Sequence, residues 1–157
     1  MTPVVPKPAA SVVLVRPGSE EPIEVYLIRR NRGMRFLGGY YAFPGGKVDA
    51  ADSAPDTLAR CRGTMAETGE AGPSTWDGLP AMAFWVTAIR ELFEETGVLM
   101  ACDAAGVPVD AGDATRAEQL VCWRKALIAN EAALTSLLAG AGWFYDLRPF
   151  RYLSHFI

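Results

Sequence analysis

One helical segment constrains this chain more than any other, because it carries three carboxylates on one face and ends at a glycine. Residues 81–98 have helical texture, and at about 100° per residue Glu91, Glu94 and Glu95 lie within roughly 100° of one another. Gly97 is placed to end this helix. The opposite, mostly apolar face holds Trp85, Ile89, Leu92, Phe93 and Thr96. The pattern predicts a helix that packs on a core through one face and presents carboxylates on the other.

The carboxylate face is unfavourable when taken alone. Like charges at i, i+4 destabilise a helix by about 0.2–0.5 kcal/mol, and the negative end of the helix dipole lies nearby. A divalent cation would remove this cost, because Mg²⁺ binds carboxylate oxygens together with substrate phosphates. The alternative is a solvated acidic face balanced by Arg90 and neighbouring cations. Both interpretations fit the segment.

Short strands are predicted before the helix. Residues 11–15 are rich in valine and end at a turn over residues 16–19, and residues 23–29 have the period of a half-buried strand. We expect these two strands to form a hairpin. Residues 40–43 form a third, aromatic strand, which Pro44-Gly45-Gly46 breaks. In the second strand, apolar Ile23, Val25 and Leu27 alternate with Glu24 and Tyr26.

Three further segments surround or follow the helix. Residues 53–80 are predicted to be a mostly irregular insertion with one short helix near residues 57–65. A long helix is expected over residues 114–138, ended by Gly140 and Gly142. The aromatic tail from residue 143 is expected to hold either one short strand or a docking segment. The apolar stripe of the long helix is Leu120, Trp123, Leu127, Leu134 and Leu137.

Composition excludes several classes of protein. The 157 residues suit a single domain, and 50% of them are apolar, which is enough for a core. A net charge of −3 disfavours a general nucleic-acid binder, and no apolar run reaches the roughly 18 residues of a membrane span. The sequence has no CxxC pair and a single histidine, which disfavours a structural zinc site or a disulfide framework. We expect a cytoplasmic protein.

The helix and the glycines before it resemble the motif of the Nudix hydrolases, G-x5-E-x7-R-E-U-x-E-E-x-G-U, in which U is a bulky aliphatic residue. Residues 90–98 match its second half at every defined position. Gly46 matches the first glycine, and Asp52 stands where the family has glutamate. Either Asp52 or Asp49 could pair with Arg90. Residues 53–89 replace seven residues of the motif, an insertion of 30 residues.

A second likeness is to the coenzyme A diphosphatases of this family, whose peroxisomal-type members include chains with a long insertion at this point. Their signature, L-L-T-x-R-(S/A)-x3-R-x3-G-x3-F-P-G-G, precedes the box. Counting back from residues 43–46 gives Gly39, Arg35 and Arg30 at the required spacings. Asn31 replaces the Ser/Ala, and of the opening L-L-T only Leu27 matches.

The resemblance implies a fold, a metal and a reaction. The fold is α/β, a Nudix-like α/β/α sandwich with a mixed sheet, which is either C-terminally incomplete in this chain or completed by the strands of a partner. The reaction is Mg²⁺- or Mn²⁺-dependent hydrolysis of coenzyme A or acyl-coenzyme A to 3′,5′-ADP and 4′-phosphopantetheine. The catalytic residues would be Glu91, Glu94, Glu95 and Arg90, the three glutamates being the metal ligands and Glu91 the favoured base. The substrate would contact Arg30, Arg35, Gly45 and Gly46.

Two other functions stay open. One is pyrophosphatase activity on an ADP-sugar, NADH or a dinucleoside polyphosphate. The other is a non-catalytic module of the same fold that binds a nucleotide. All three readings predict a nucleotide-type small molecule as the ligand, and a homodimer is compatible with each.

Overall fold

The computed structural model describes residues 6–33, 37–64, 75, 76 and 78–155. The strands are β1 Ala9–Ser11, β2 Leu14–Pro17, β3 Ile23–Tyr26, β4 Ile28–Arg29, β5 Tyr41–Ala42, β6 Gly45–Lys47, β7 Cys61–Arg62, β8 Thr75–Trp76, β9 Leu79–Pro80, β10 Ala101–Cys102 and β11 Phe144–Asp146. The helices are a 3₁₀ helix at Ala50–Ser53, α1 Pro55–Ala59, α2 Ala81–Thr96, α3 Ala114–Ile128 and α4 Leu134–Ala141. None of the described helices is long and apolar enough to cross a membrane.

Helix α2 lies at the centre and confirms the predicted carboxylate helix. Its residues Val86, Ile89 and Phe93 are fully buried in the main core, which α3, α4 and β11 complete. The helix ends where the sequence predicts, because Gly97 adopts a left-handed conformation with φ of 81° and its N–H donates to the carbonyl of Phe93.

The strands form small sheets around this helix, so the architecture is mixed α/β. Strand β10 pairs antiparallel with β11, which pairs parallel with β7. Strand β6 pairs antiparallel with β1 and packs on α2. Pro44-Gly45-Gly46 ends the aromatic strand as predicted, since β5 stops at Ala42. Gly45 and Gly46 then begin β6, where the missing side chain of Gly46 leaves room for Glu91 of α2 and that of Gly45 lets the strand lie close to β1.

The predicted hairpin is confirmed, but each of its predicted strands, over residues 11–15 and 23–29, is divided in two, because β1 pairs with β6 and β4 with β5. The apolar face of the hairpin points outward. Strands β2 and β3 pair antiparallel with Val15 opposite Val25. The exposed fractions of Ile23, Val25 and Leu27 are 60%, 43% and 43%, whereas the charged residue between them, Glu24, is less exposed and lies half-buried. Leu14, on the other face of the hairpin, packs against the smaller core cluster of Val12, Ala88 and Leu92. Alternation correctly indicated a strand with two different faces but not which face the core covers.

The insertion is more regular than predicted. It contains α1, which begins two residues before the predicted helix and ends at Ala59, followed by β7 and the β8–β9 pair. Pro55 at the first helical position explains the earlier start, since its fixed φ suits the first turn. Residues 60–64 of the predicted helix are not helical, whereas residues 65–74 and 77 lie outside the described part of the chain.

The predicted long helix over residues 114–138 is wrong, because two helices occupy this stretch. Helix α3 stops at Ile128, and Asn130 then takes a left-handed conformation with φ of 56°. The change of direction allows Leu127 of α3 and Leu134 of α4 to enter the same core. Gly142 ends α4 as predicted, whereas Gly140 lies inside that helix. The short strand predicted in the tail is β11.

Candidate active site

Arg90 forms hydrogen bonds with several carboxylates of the site. The residue is 8% exposed, and its five N–H donors all have acceptors. Nε and one Nη2 proton bind the two oxygens of Asp52, at 2.9 Å each, and Nη2 also donates to the carbonyl of Lys47 at 2.9 Å. Nη1 donates to Glu91 at 2.9 Å and to Glu94 at 3.1 Å. With every donor engaged, Arg90 orients the carboxylates and has no N–H left for a phosphate.

Asp52, rather than Asp49, is the main partner of Arg90. Asp52 is 2% exposed and also accepts hydrogen bonds from Thr87 Oγ1 at 2.8 Å and from the Asp49 N–H at 3.0 Å. The Asp49 carboxylate is 3.9 Å from Arg90 Nη2, and its side chain is 72% exposed. Burial alone would lower the pKa of Arg90, but the hydrogen bonds and charge of Asp52 outweigh burial and raise it. The shorter aspartate reaches Arg90 because the 3₁₀ helix brings it close.

Glu91 lies against the backbone of β6. A Cβ placed on Gly46 would overlap the Glu91 carboxylate, so only glycine leaves room for this side chain. Burial raises the pKa of Glu91, although the neighbouring Arg90 opposes this effect. A partly desolvated carboxylate at this position is suited to accepting a proton or binding a cation.

Glu95 lies against the same strand. The Gly45 N–H donates to Glu95 Oε2 at 2.8 Å. Burial raises the pKa of Glu95, and this hydrogen bond partly offsets the increase. The two glycines thus contact two of the three carboxylates, and contact of Gly45 and Gly46 with a substrate stays a prediction.

Arg30 lies at the edge of the same region. Its Nε is buried and has no hydrogen-bond partner among the described residues. Burial raises the pKa of Glu95, and the positive charge of Arg30 offsets a part of this increase. A buried N–H without an acceptor is costly, and an anionic ligand would satisfy it. Arg35, the second predicted phosphate contact, lies outside the described residues.

The carboxylates suit a hard cation without forming a preformed cage. Within the described ranges, no three His, Cys, Asp or Glu side chains converge closely enough to form a metal cluster. Arg90 Nη1 instead bridges Glu91 and Glu94. The donors are nevertheless carboxylate oxygens, which Mg²⁺ and Mn²⁺ prefer. The burial that raises the pKa values of Glu91 and Glu95 would also make a nearby cation favourable.

A shallow cleft opens beside Glu94. Its volume is about 220 Å³, and it lies between the 3₁₀ helix, α2 and the connection from α3 to α4. Asp49, Glu94, Asn130 and Thr135 supply polar groups to its walls, and Tyr145 also lines it. The cleft places room for a small ligand next to one of the candidate metal ligands.

Sequence reasoning missed Arg124. This α3 residue donates from Nε to the carbonyl of Glu94 at 2.8 Å and from Nη2 to the carbonyl of Glu95 at 2.9 Å. The sequence offers no signal for these contacts, because their partners are backbone atoms 30 and 29 residues away.

Comparison with known proteins shows a likeness in fold. No protein-family model matches the chain. The crystal structure of a Nudix hydrolase from Alicyclobacillus acidocaldarius is similar, with a TM-score of 0.68 and 32% sequence identity over 90% of this chain. The chain spans 57% of the length of that protein. Since the likeness in fold comes with the Nudix pattern on α2, the chain has the fold of a Nudix hydrolase.

Proposed function

We propose that the chain hydrolyses a diphosphate linkage in a nucleoside-diphosphate derivative, with Mg²⁺ or Mn²⁺ as cofactor. One observation carries this proposal. Buried Arg90 holds Glu91 and Glu94 on one face of α2, while Gly46 leaves room for the Glu91 carboxylate and the Gly45 N–H donates to Glu95. An ordinary solvated acidic face would not need a buried arginine with every donor engaged.

The three glutamates and Arg90 have different roles in the proposed hydrolysis. Glu91, Glu94 and Glu95 would hold the cation, which when bound neutralises phosphate oxygens and lowers the pKa of water. Glu91 is the favoured base, because burial raises its pKa towards the range in which a carboxylate accepts a proton well. Arg90 keeps Glu91 and Glu94 oriented through its two Nη1 hydrogen bonds.

Coenzyme A or acyl-coenzyme A is the proposed substrate. Support comes from the spacing of Arg30, Arg35 and Gly39 before Phe43-Pro-Gly-Gly46. The buried Nε of Arg30, which has no partner among the described residues, adds support, because guanidinium groups bind phosphate and coenzyme A has a 3′-phosphate as well as its diphosphate. The expected products are 3′,5′-ADP and 4′-phosphopantetheine.

The experiment is a substrate panel with the folded protein and Mg²⁺, analysed by chromatography. Coenzyme A, an ADP-sugar, NADH and a dinucleoside polyphosphate are incubated separately, with EDTA as the metal-free control. Cleavage of coenzyme A to the two named products is expected. If the protein cleaves only another member of the panel, the reaction stands and the substrate assignment is wrong.

The other pyrophosphatase substrates are retained for one reason: Tyr26 and Ile28 depart from the coenzyme A signature. Binding of a nucleotide without cleavage of any panel member would instead identify a non-catalytic module. Coenzyme A hydrolysis would be excluded by binding without cleavage, and also by cleavage of another panel member alone.

A homodimer in a cytoplasmic setting completes the proposal. Its support is the outward apolar face of the β2–β3 hairpin, since exposed apolar patches often mark interfaces. Light scattering of the purified chain would give its mass in solution, and a monomer at all concentrations would contradict the dimer.

A further inference from the structure

The C-terminal turn of α2 is held from outside the helix. The last four carbonyls of an α-helix lack partners within it. The Gly97 N–H donates to the carbonyl of Phe93. The carbonyls of Glu94 and Glu95 instead accept hydrogen bonds from the guanidinium of Arg124. Arg124 therefore holds the backbone of two residues whose side chains are candidate metal ligands.

The charge of Arg124 suits this location. The negative end of the helix dipole lies here, and the last turn of α2 contains no basic residue. Glu91, Glu94 and Glu95 add negative charge to the same end. Arg124, a cation from the neighbouring helix α3, offsets both the helix dipole and the charge of the carboxylates. Because it binds backbone carbonyls, it does not occupy the carboxylate oxygens.

The contact is also geometrically specific. Nε and Nη2 of one planar guanidinium reach two successive carbonyls, at 2.8 and 2.9 Å, so both carbonyls are fixed relative to α3. Helix α3 is in turn anchored in the core through Leu120 and Leu127. Movement of this turn would shift Glu94 and Glu95 together.

We infer that Arg124 is a positioning residue that sets metal affinity by fixing the last turn of the carboxylate helix. The inference rests on the proposed metal-dependent function. Arg124 itself contacts neither substrate nor metal in this proposal. It acts by holding the backbone carbonyls of Glu94 and Glu95.

The test measures Mn²⁺ binding by electron paramagnetic resonance, without substrate. Replacing Arg124→Ala should raise the dissociation constant roughly tenfold, the lower end of the effect of residues that orient metal ligands. Arg124→Lys keeps the charge and can still reach a carbonyl, so it should restore part of the affinity. This variant also keeps the test usable if Arg124→Ala fails to fold.

Arg116→Ala is the matched control, because Arg116 lies on the same helix and its hydrogen bonds go to Asp110 and Asp113. Its Mn²⁺ affinity should equal that of the wild type. Unfolding temperatures are measured for all variants. Wild-type affinity in a folded Arg124→Ala protein would overturn the inference alone, even if that variant is less stable. Lack of Mn²⁺ binding by the wild type would overturn the proposed metal site, and the inference with it.

Discussion

At the scale of single residues, the ion pair of Arg90 and Asp52 fixes the site. The pair is buried and joins two positions 38 residues apart, and Asp52 also accepts hydrogen bonds from Thr87 Oγ1 and the Asp49 N–H. Such a pair is sensitive to loss of one partner, because without Asp52 the Nε and one Nη2 N–H of buried Arg90 would lose their acceptors, although Glu91 and Glu94 would still contact Nη1. The preceding aspartate, Asp49, offers a natural contrast because it is mostly exposed.

Replacing Asp52→Ala should lower the free energy of unfolding by about 3–5 kcal/mol, since Arg90 would be left buried without its main partner. Urea denaturation measures this change. Asp49→Ala is the control and should cost less than about 1 kcal/mol, as exposed ion pairs usually do. Equal losses in the two variants would contradict the assignment of Asp52 as the partner.

Gly46 is a second residue-scale constraint. In Gly46→Ala the new methyl group would overlap the Glu91 carboxylate and displace it. Hydrolysis should fall on the order of 100-fold, the cost of misplacing a catalytic group by about 1 Å. Steady-state kinetics on the cleaved substrate measures this. Gly140→Ala, at a helical site with open space around it, should retain wild-type activity, and an active Gly46→Ala enzyme would count against the role of Glu91.

At the scale of secondary-structure elements, the break between α3 and α4 depends on one residue. Asn130 has a positive φ, and asparagine tolerates this conformation better than most residues do. Its N–H donates to Leu127, and the next N–H donates to Ala126, which closes the end of α3. A local backbone conformation thus decides where two helices separate.

Asn130→Ala should therefore lower the free energy of unfolding by about 1 kcal/mol, because a left-handed conformation costs other L-residues roughly that amount. Asn130→Gly should match or exceed the stability of the wild type. Thermal denaturation of the three proteins tests this order. A stabilised alanine variant would mean that this segment prefers a continuous helix.

At the scale of the whole molecule, α2 connects the core to the site. Most of its apolar face is buried by α3, α4 and β11, which follow it, and Val12, which precedes it, packs on Ala88 and Leu92. The earlier elements β6 and the 3₁₀ helix also pack on α2. A ligand bound at the carboxylates would therefore stabilise the entire fold. A ligand that binds only the native state at 100 times its dissociation constant adds about 2.7 kcal/mol.

Mg²⁺ should accordingly raise the unfolding temperature of the wild type and support its hydrolytic activity. Glu94→Gln should lose most of both effects, because it removes the charge of one proposed ligand. Glu118→Gln, on the exposed side of α3, is the control and should behave as the wild type. Metal-dependent hydrolysis that survives intact in Glu94→Gln would show that the metal ligands are assigned wrongly.

The sequence by itself determined α2, its carboxylate face, its end at Gly97 and the β2–β3 hairpin, because helical and strand periods and a glycine stop are local properties. It also gave the Nudix pattern that the fold comparison supports. Tertiary structure alone decided that Asp52 rather than Asp49 holds Arg90, that β6 lies against Glu91 and Glu95, and that Arg124 binds the end of α2. These contacts join positions about 30–50 residues apart. They depend on how the elements pack against one another, which a local sequence pattern does not specify. The outward apolar face of the hairpin has the same cause, since alternation separates two faces and only packing selects which one is buried.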